Sequence, residues 1–335
     1  MVLLLMWLVY LVRTTLFIFV LAVLFAYLLT PLVNLLDRFL PGRTRTPALA
    51  LAYLIVVGAV ALGVGQIGGR VVDQANRLAK DLPARIEAWK APPAGVPSTL
   101  DKYRMRLIEQ AQGEISKRSS DLLASLAQTG LKVLAVASDL IYVVIIPVLA
   151  FFFLKDGRLI HRQILDAVGE GPRGALLTDV LSDLNALLAH YMRALVALSL
   201  ATFIAFSIFF SIVGMPYGIL LATLASLLEV IPMMGPLAAV IIIFLVALLS
   251  GAHSLATLIF LVLYRMFQDY FLSPHVMGRG VELHPLLVLF GVYAGAQVGG
   301  IAGMALSVPL LALARILFLR VRKMRQSALS NPAAA

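Results

Sequence analysis

Five stretches of this chain run for 23 to 35 residues without one charged side chain: Thr14 to Leu36, Thr46 to Gly69, Ala194 to Leu228, Val230 to Tyr264 and Leu283 to Ala314. Crossing the hydrocarbon core of a bilayer takes about 20 apolar residues at about 1.5 Å rise each, so every stretch is long enough to span. Of the 44 charged residues, 35 fall in four patches: Asp37 to Arg45, Arg70 to Asp121, Lys155 to Arg193 and Arg320 to Arg325. With 61% of its 335 residues apolar and 13% charged, the chain has too little polar surface to face water on all sides. It reads as an all-α, polytopic integral membrane protein.

The last three runs are too long for single straight spans. A 35-residue helix would be roughly 52 Å long against a hydrocarbon core of about 30 Å. Each must break or turn, and breakers stand at suitable places: Gly214-Met-Pro216, Pro232-Met-Met-Gly235-Pro236, Gly251 and Gly299-Gly300. Proline removes a backbone donor, and glycine accepts the turn that follows. About seven or eight membrane segments are expected, some broken or re-entrant.

Charge placement orients them. Arg38, Arg43 and Arg45, and later Arg320, Arg322, Lys323 and Arg325, sit beside membrane ends and mark the cytoplasmic side, as does Lys155 with Arg158 and Arg162. The net charge of +10 is then largely topology, and nucleic-acid binding drops out. The division follows: N-terminal membrane helices over 1–69, an extracytoplasmic amphipathic helical insertion over 70–131, a membrane helix over 132–154, a cytoplasmic amphipathic helix over 155–193, a membrane bundle with broken helices over 194–319, and a basic cytoplasmic tail over 320–335. Val2 to Val12 is too short to span alone and reads as an interfacial helix or the start of a longer tilted one. In the insertion, Val71, Ala75, Leu78, Leu82, Ile86 and Trp89 recur at helical spacing, and a second stripe follows from Tyr103 to Leu126. Such a stripe packs against protein, or gates a path.

No cysteine is present, which excludes disulfides, thiolate metal sites and a thiol nucleophile. H-E-x-x-H, G-x-S-x-G and the P-loop are missing too, and Gly63-Val-Gly65-Gln-Ile-Gly68 lies in a span rather than after a strand. No enzyme, cofactor or metal centre is expected.

Nine charges lie outside the patches, and Glu229, Arg265 and Asp269 are the informative ones. An ionisable group at membrane depth costs several kcal/mol unless it is paired or lines a wet cavity. Glu229 stands three residues before Pro232, where carbonyls freed by Pro232 and Pro236 could supply oxygen ligands. It reads as an ion- or proton-binding carboxylate beside a broken helix, or as the salt-bridge partner of Arg265. Arg265 and Asp269, four apart, share a helix face and can pair, with Gln268 beside them. His284 precedes Pro285 at the start of an apolar run, a capping position more than a relay. Gly291, Gly295, Gly299 and Gly303 form a small-residue ridge that admits close helix packing.

The motifs Phe25-Ala-Tyr-Leu-Leu-Thr-Pro31, Phe151-Phe-Phe-Leu-Lys-Asp-Gly157, Gly214-Met-Pro216, Ile231-Pro-Met-Met-Gly-Pro236, Gln268-Asp269 with Pro274, Gly278, Leu283-His-Pro285, and Gly300-Ile-Ala-Gly303 with Val308-Pro309 occur in an order that resembles the autoinducer-2 exporter (AI-2E, PerM-type permease) family over nearly the whole chain. The resemblance implies a bacterial inner-membrane homo-oligomer, with a pentamer as the expected assembly, that exports small solutes; the furanone-type quorum-sensing signal gives the family its name, and some members resemble sodium or lithium/proton antiporters in activity. This chain departs from the commonest pattern with Glu229 where an amide or another polar residue is expected, and Met233-Met234 where an aromatic often stands. Those departures favour ion coupling over a sugar-like ligand.

The expectation is a secondary transporter for a small polar solute, with Glu229, Pro232, Gly235, Pro236, Arg265, Gln268, Asp269 and His284 as substrate- or ion-binding candidates. A monovalent cation/proton antiporter and a non-transporting membrane scaffold are the alternatives.

Overall fold

The computed structural model describes residues 7, 11–40, 45–90, 140–169, 171–251, 253–277 and 283–330. The amphipathic insertion beyond Lys90, the Val2 to Val12 stretch except Trp7, Leu11 and Val12, and the charges Lys132, Asp139, Arg279 and Glu282 lie outside the described residues. No strand occurs among the described residues. The helices are α1 (Arg13–Phe39), α2 (Thr46–Gly63), α3 (Gly69–Lys90), α4 (Leu140–Val168), α5 (Pro172–Val213), α6 (Gly218–Leu228), α7 (Met234–Ser250), α8 (Ser254–Phe267), the short α9 (Ser273–Met277) and α10 (Pro285–Ser330). Among the described residues, five helical segments are long and apolar enough to cross a membrane, and the chain is a multi-pass membrane protein.

Small residues set the packing of the N-terminal helices. Ala48, Leu49 and Ala52 of α2 are buried against Leu29 and Val33 of α1. Tyr53 donates its hydroxyl to the Pro147 carbonyl inside α4, at 2.7 Å. That bond gives a buried phenol the partner that hydrocarbon cannot supply. The helix continues across the 69/70 division: α2 passes through a π-turn, Val64–Gly68, directly into α3. The segment 155–193 is shared between two helices that meet at Gly169 and Gly171, both at positive φ, and α5 then continues past Arg193 into its apolar half without interruption.

The two 35-residue runs break where proline and glycine predicted. Gly214 (φ 67°) ends α5, Met233 (φ 62°) precedes α7, and Gly251 (φ 64°) ends it. With 11 residues, α6 is roughly 16 Å long, about half the hydrocarbon thickness. It packs on α7, and the pair forms a re-entrant hairpin with its tip at Glu229 to Met233.

The open end of this hairpin is closed by α3. Gln74 Oε1 accepts the Leu220 N–H at 2.9 Å, in the first turn of α6, and Arg85 Nη1 donates to the Ser250 carbonyl at 3.5 Å, in the last turn of α7. Tyr217 donates its hydroxyl to Asp81, and the Arg85 guanidinium lies 6.0 Å from the Tyr217 ring. Helix ends carry backbone groups with no intrahelical partner, a positive N-terminus and a negative C-terminus. One amphipathic helix therefore caps both ends of another element, while its Leu82 is buried and its Leu78 packs on the core of α5 to α8. The described part of the stripe faces protein.

A second hairpin is hidden inside α10. Gly300 (φ 58°, ψ −138°) folds the helix back on itself. A Cβ on Gly295 would sit 2.3 Å from the Gly303 carbonyl oxygen, and one on Gly291 would meet Leu311 and Ser307. The glycine ridge is thus the seam between the two halves of one run, with Gly299 against the Phe17 ring of α1. Arg320 fixes the level: its Nε and Nη2 donate to Asp183 at 2.7 and 2.9 Å, and its Nη1 to Asp179 at 2.7 Å. Counting back from that pair, Gly300 lies about 30 Å along α10 and Thr202 about 28 Å along α5. The two hairpins enter from opposite ends and reach the same depth. A long helix followed by a hairpin thus occurs twice, in opposite senses, the arrangement of an inverted repeat.

Replacing Gly303 by valine should lower stability by about 1–3 kcal/mol, because its Cβ would lie 2.0 Å from the Gly295 carbonyl oxygen. Gly58→Ala, with nothing within 4 Å, should be neutral or stabilising by up to about 1 kcal/mol. Thermal unfolding in detergent separates them, and equal midpoints would refute the close seam. Gln74→Ala should speed amide exchange at Leu220 by an amount equivalent to about 0.5–2 kcal/mol, read by hydrogen–deuterium exchange.

Candidate functional site

The tip of the first hairpin is built by residues that cannot continue a helix. Pro232 and Pro236 have no N–H, so the turn closes with other bonds: Ile231 N–H to Leu228 O at 2.9 Å, Met234 N–H to Pro232 O at 2.7 Å, Gly235 N–H to Ile231 O at 3.0 Å and Leu237 N–H to Met233 O at 3.4 Å. A Cβ on Gly235 would lie 1.7 Å from the Leu228 carbonyl oxygen, so only glycine lets α7 begin this close to the end of α6. The carbonyls of Leu228, Ile231, Pro232 and Met233 each accept one N–H within the turn and keep a second lone pair. Side chains add the remaining polar groups of the tip.

Glu229 leaves the last turn of α6 and reaches two other helices. Its Oε1 accepts from Gln268 Nε2 at 2.6 Å, and its Oε2 accepts from Thr202 Oγ1 at 3.4 Å. Thr202 Oγ1 is also 3.0 Å from the Tyr264 hydroxyl. Thr202 and Gln268 are buried, so Glu229, half-buried, is met by donors that have no competing water. A π-turn, Gln268–Leu272, begins at Gln268, which points inward while Asp269 and Tyr270 are exposed.

Arg265 is engaged on one edge. Its Nε donates to Asp269 Oδ2 at 2.8 Å and its Nη2 to Asp269 Oδ1 at 2.7 Å, the two-point pairing that suits a guanidinium and a carboxylate. This is the pairing expected from the i,i+4 spacing, and Glu229 takes Gln268 and Thr202 instead of a salt bridge to Arg265. Arg265 Nη1 is buried and has no hydrogen-bond partner.

These groups line one cleft. Its wall is Thr202 and Phe206 from α5, Ala225 and Glu229 at α6, Pro236, Ala239 and Val240 from α7, and Leu261, Tyr264, Arg265 and Gln268 along α8 and its π-turn. The enclosed space is about 20 Å³, room for roughly one water-sized species. Behind it, Phe206 meets Phe210, Phe260 and Tyr264 edge-on at 5.0–5.6 Å, and Phe209 stacks on Phe260 at 3.9 Å. That aromatic block fixes the position from which Tyr264 presents its hydroxyl. Among the described residues no three His, Asp or Glu side chains come together, and the cleft wall offers one carboxylate.

Of the residues singled out from the sequence, Glu229, Pro236, Arg265 and Gln268 line the cleft, and Asp269 touches it through Arg265. Pro232 and Gly235 shape the turn. His284 stands apart: it is exposed, and its Nδ1 accepts the Leu286 N–H at 3.2 Å at the start of α10, which is the capping role. Thr202, Phe206 and Tyr264 were missed. Tyr264 is four residues before Gln268 and so shares its face, a signal that was available; nothing marks Thr202 among the apolar residues of its helix.

The family model described as AI-2E family transporter matches residues 1–323. The chain is also similar to YueF of Bacillus subtilis, 26% identical over 90% of this chain and 83% of the relative, and to YrrI of the same organism, 23% identical over 94% and 89%. A Mycobacterium tuberculosis relative, MT0215, is 27% identical over 87% and 79%. All three are named as candidate transport proteins.

Thr202→Val should cost about 1–3 kcal/mol, because it removes a donor from Glu229 and leaves the Tyr264 hydroxyl without its oxygen partner, whereas Thr202→Ser should keep most of the stability. Thermal unfolding midpoints of the two variants decide the point.

Proposed function

The chain belongs to the AI-2E family and is a membrane transporter, and from that premise we propose that it works as a secondary transporter exporting a small polar solute, of the autoinducer-2 kind, across the bacterial inner membrane, with a proton as the coupling ion and Glu229 as its site. The observation that carries the reading is a carboxylate at the tip of a re-entrant hairpin, held by side chains from two other helices. Broken helices at mid-membrane are where secondary transporters place substrate and ion sites.

The chemistry follows from the bonding. As a carboxylate, Glu229 ties the hairpin tip to Thr202 and Gln268. A proton on Glu229 removes the charge that strengthens both bonds and loosens the tip. Protonation thus has a differential effect on closed and open arrangements of the hairpin, which coupling requires. The small enclosed space supports reading this arrangement as closed to an organic solute, with entry following withdrawal of the tip. The excess of Arg and Lys at Arg38, Arg43, Arg45 and Arg320 to Arg325 supports a cytoplasmic location for that end and for the tail. The family resemblance supports a homo-oligomer, with five copies as the working number.

A cation/proton antiport without organic solute is the second reading, favoured by the water-sized cleft. Sodium or lithium pulses in a dye-based proton-flux assay distinguish the two: release of protons on the pulse selects antiport.

In proteoliposomes, Glu229→Gln should abolish the pH dependence of flux and reduce it by about tenfold, within the usual span of coupling energies. Flux with unchanged rate and pH profile would remove Glu229 from the mechanism.

A further inference from the structure

We infer that the cleft takes a small monocarboxylate, that Arg265 Nη1 is the donor that reads it, and that binding requires a proton on Glu229; this rests on the reading of Glu229 as the proton site.

Arg265 supplies the first argument. Two of its nitrogens are committed to Asp269, and the third is buried in the cleft wall with no partner. A buried cationic donor left unpaired is a costly state that folded proteins avoid unless a ligand or water completes it. The acceptor that gains most from a guanidinium is a carboxylate, because the hydrogen bond is charge-assisted. Asp269 acts as a positioning residue: its two-point pairing holds the guanidinium of Arg265, a residue of the cleft wall, and leaves Nη1 uncommitted.

Charge supplies the second. Arg265 and Asp269 neutralise one another, so ionised Glu229 leaves the site one negative charge in excess. The titratable and charged groups facing Glu229 are Arg265 and Tyr264 from α8 and Asp269 from the π-turn; α5 contributes the neutral Thr202, Gln268 contributes an amide, and the α6 and α7 walls are Ala225, Pro236, Ala239 and Val240. Among the described residues no second cation lines the cleft to hold another anionic group. A carboxylate arriving beside ionised Glu229 meets a like charge in a medium that screens it poorly. Once Glu229 is protonated that repulsion is gone, so proton and anion enter together and the loaded site carries no added charge across the membrane.

Shape supplies the third. As it stands the cleft has room for roughly one water-sized group, enough for one carboxylate oxygen beside Arg265. Phe206, Leu261 and Val240 form the apolar wall that a short hydrocarbon or hydroxylated stem meets once the hairpin tip withdraws.

The test uses the full-length protein in lipid nanodiscs, with radiolabelled lactate as probe and lactamide as its neutral counterpart. Lactate stays ionised over the range from mildly acidic to neutral. Lactate should bind at the acidic end and lose affinity by at least about tenfold toward neutral, as expected for coupling of this kind. Lactamide should be a weak competitor at both. Glu229→Gln should bind lactate independently of pH, and Arg265→Gln should lose it, with partial recovery in Arg265→Lys. Lactate binding that survives Arg265→Gln, lactamide that competes equally, or no lactate binding at either pH overturns the carboxylate assignment. Lactate binding by the unmodified protein that is independent of pH but lost in Arg265→Gln overturns Glu229 as the proton site and leaves Arg265 as the anchor. If Arg265→Gln fails to fold, competition by lactamide in the unmodified protein decides.

Discussion

A backbone in hydrocarbon has no water to which it can send an N–H or a C=O, so each interruption of a helix there must find its partners inside the protein. The rest of this structure can be read from that constraint. The first hairpin turns at Pro232 and Pro236, where donors are missing, and it closes its carbonyls with short bonds around Gly235. Its open end is capped by Gln74 and Arg85 of α3. The second hairpin folds at Gly300, where the backbone takes a conformation that side chains disfavour, and its halves touch through glycines. In the first hairpin, turn bonds and a distant helix satisfy polar groups that would otherwise forbid the break, and in the second, glycine admits the turn and the close approach.

The same constraint puts the polar side chains where they are. Glu229 is tolerable in this bundle because Gln268 and Thr202 meet its oxygens, and Arg265 because Asp269 neutralises it. In the proposed mechanism this site responds to protonation, because a proton on Glu229 weakens the bonds that tie the hairpin tip to Gln268 and Thr202. The opposed hairpins add direction, since one opens toward the end bearing Tyr217 and Ser250 and the other toward the end bearing Asp183 and Arg320.

Much of this was legible in the residues. The uncharged runs announced the membrane, and the breakers at Gly214, Pro232, Gly251 and Gly300 announced where the runs would turn, because proline and glycine act on the backbone wherever they stand. The Arg265–Asp269 pair followed from helical spacing. What was not legible had a physical reason in each case. The glycine ridge predicted a close neighbour without saying that the neighbour was the same run folded back, since a four-residue period describes one face and is silent about what covers it. The divisions at 69/70 and 193/194 were drawn where charge changes, and hydrogen bonding continues through both: α2 passes by its π-turn into α3, and α5 runs straight across.

From sequence alone came the solvent, the placement of the breaks in the long apolar runs, the family and the identity of the membrane-depth charges, because hydropathy and backbone chemistry are properties of short segments. Only the tertiary structure decided that Glu229 would be met by Thr202, 27 residues before it, and by Gln268, 39 residues after it, rather than by Arg265. No periodicity marks a lone threonine in an apolar helix. Its meaning is set by which helices the hairpin brings to the same depth, and that is a property of the packed molecule.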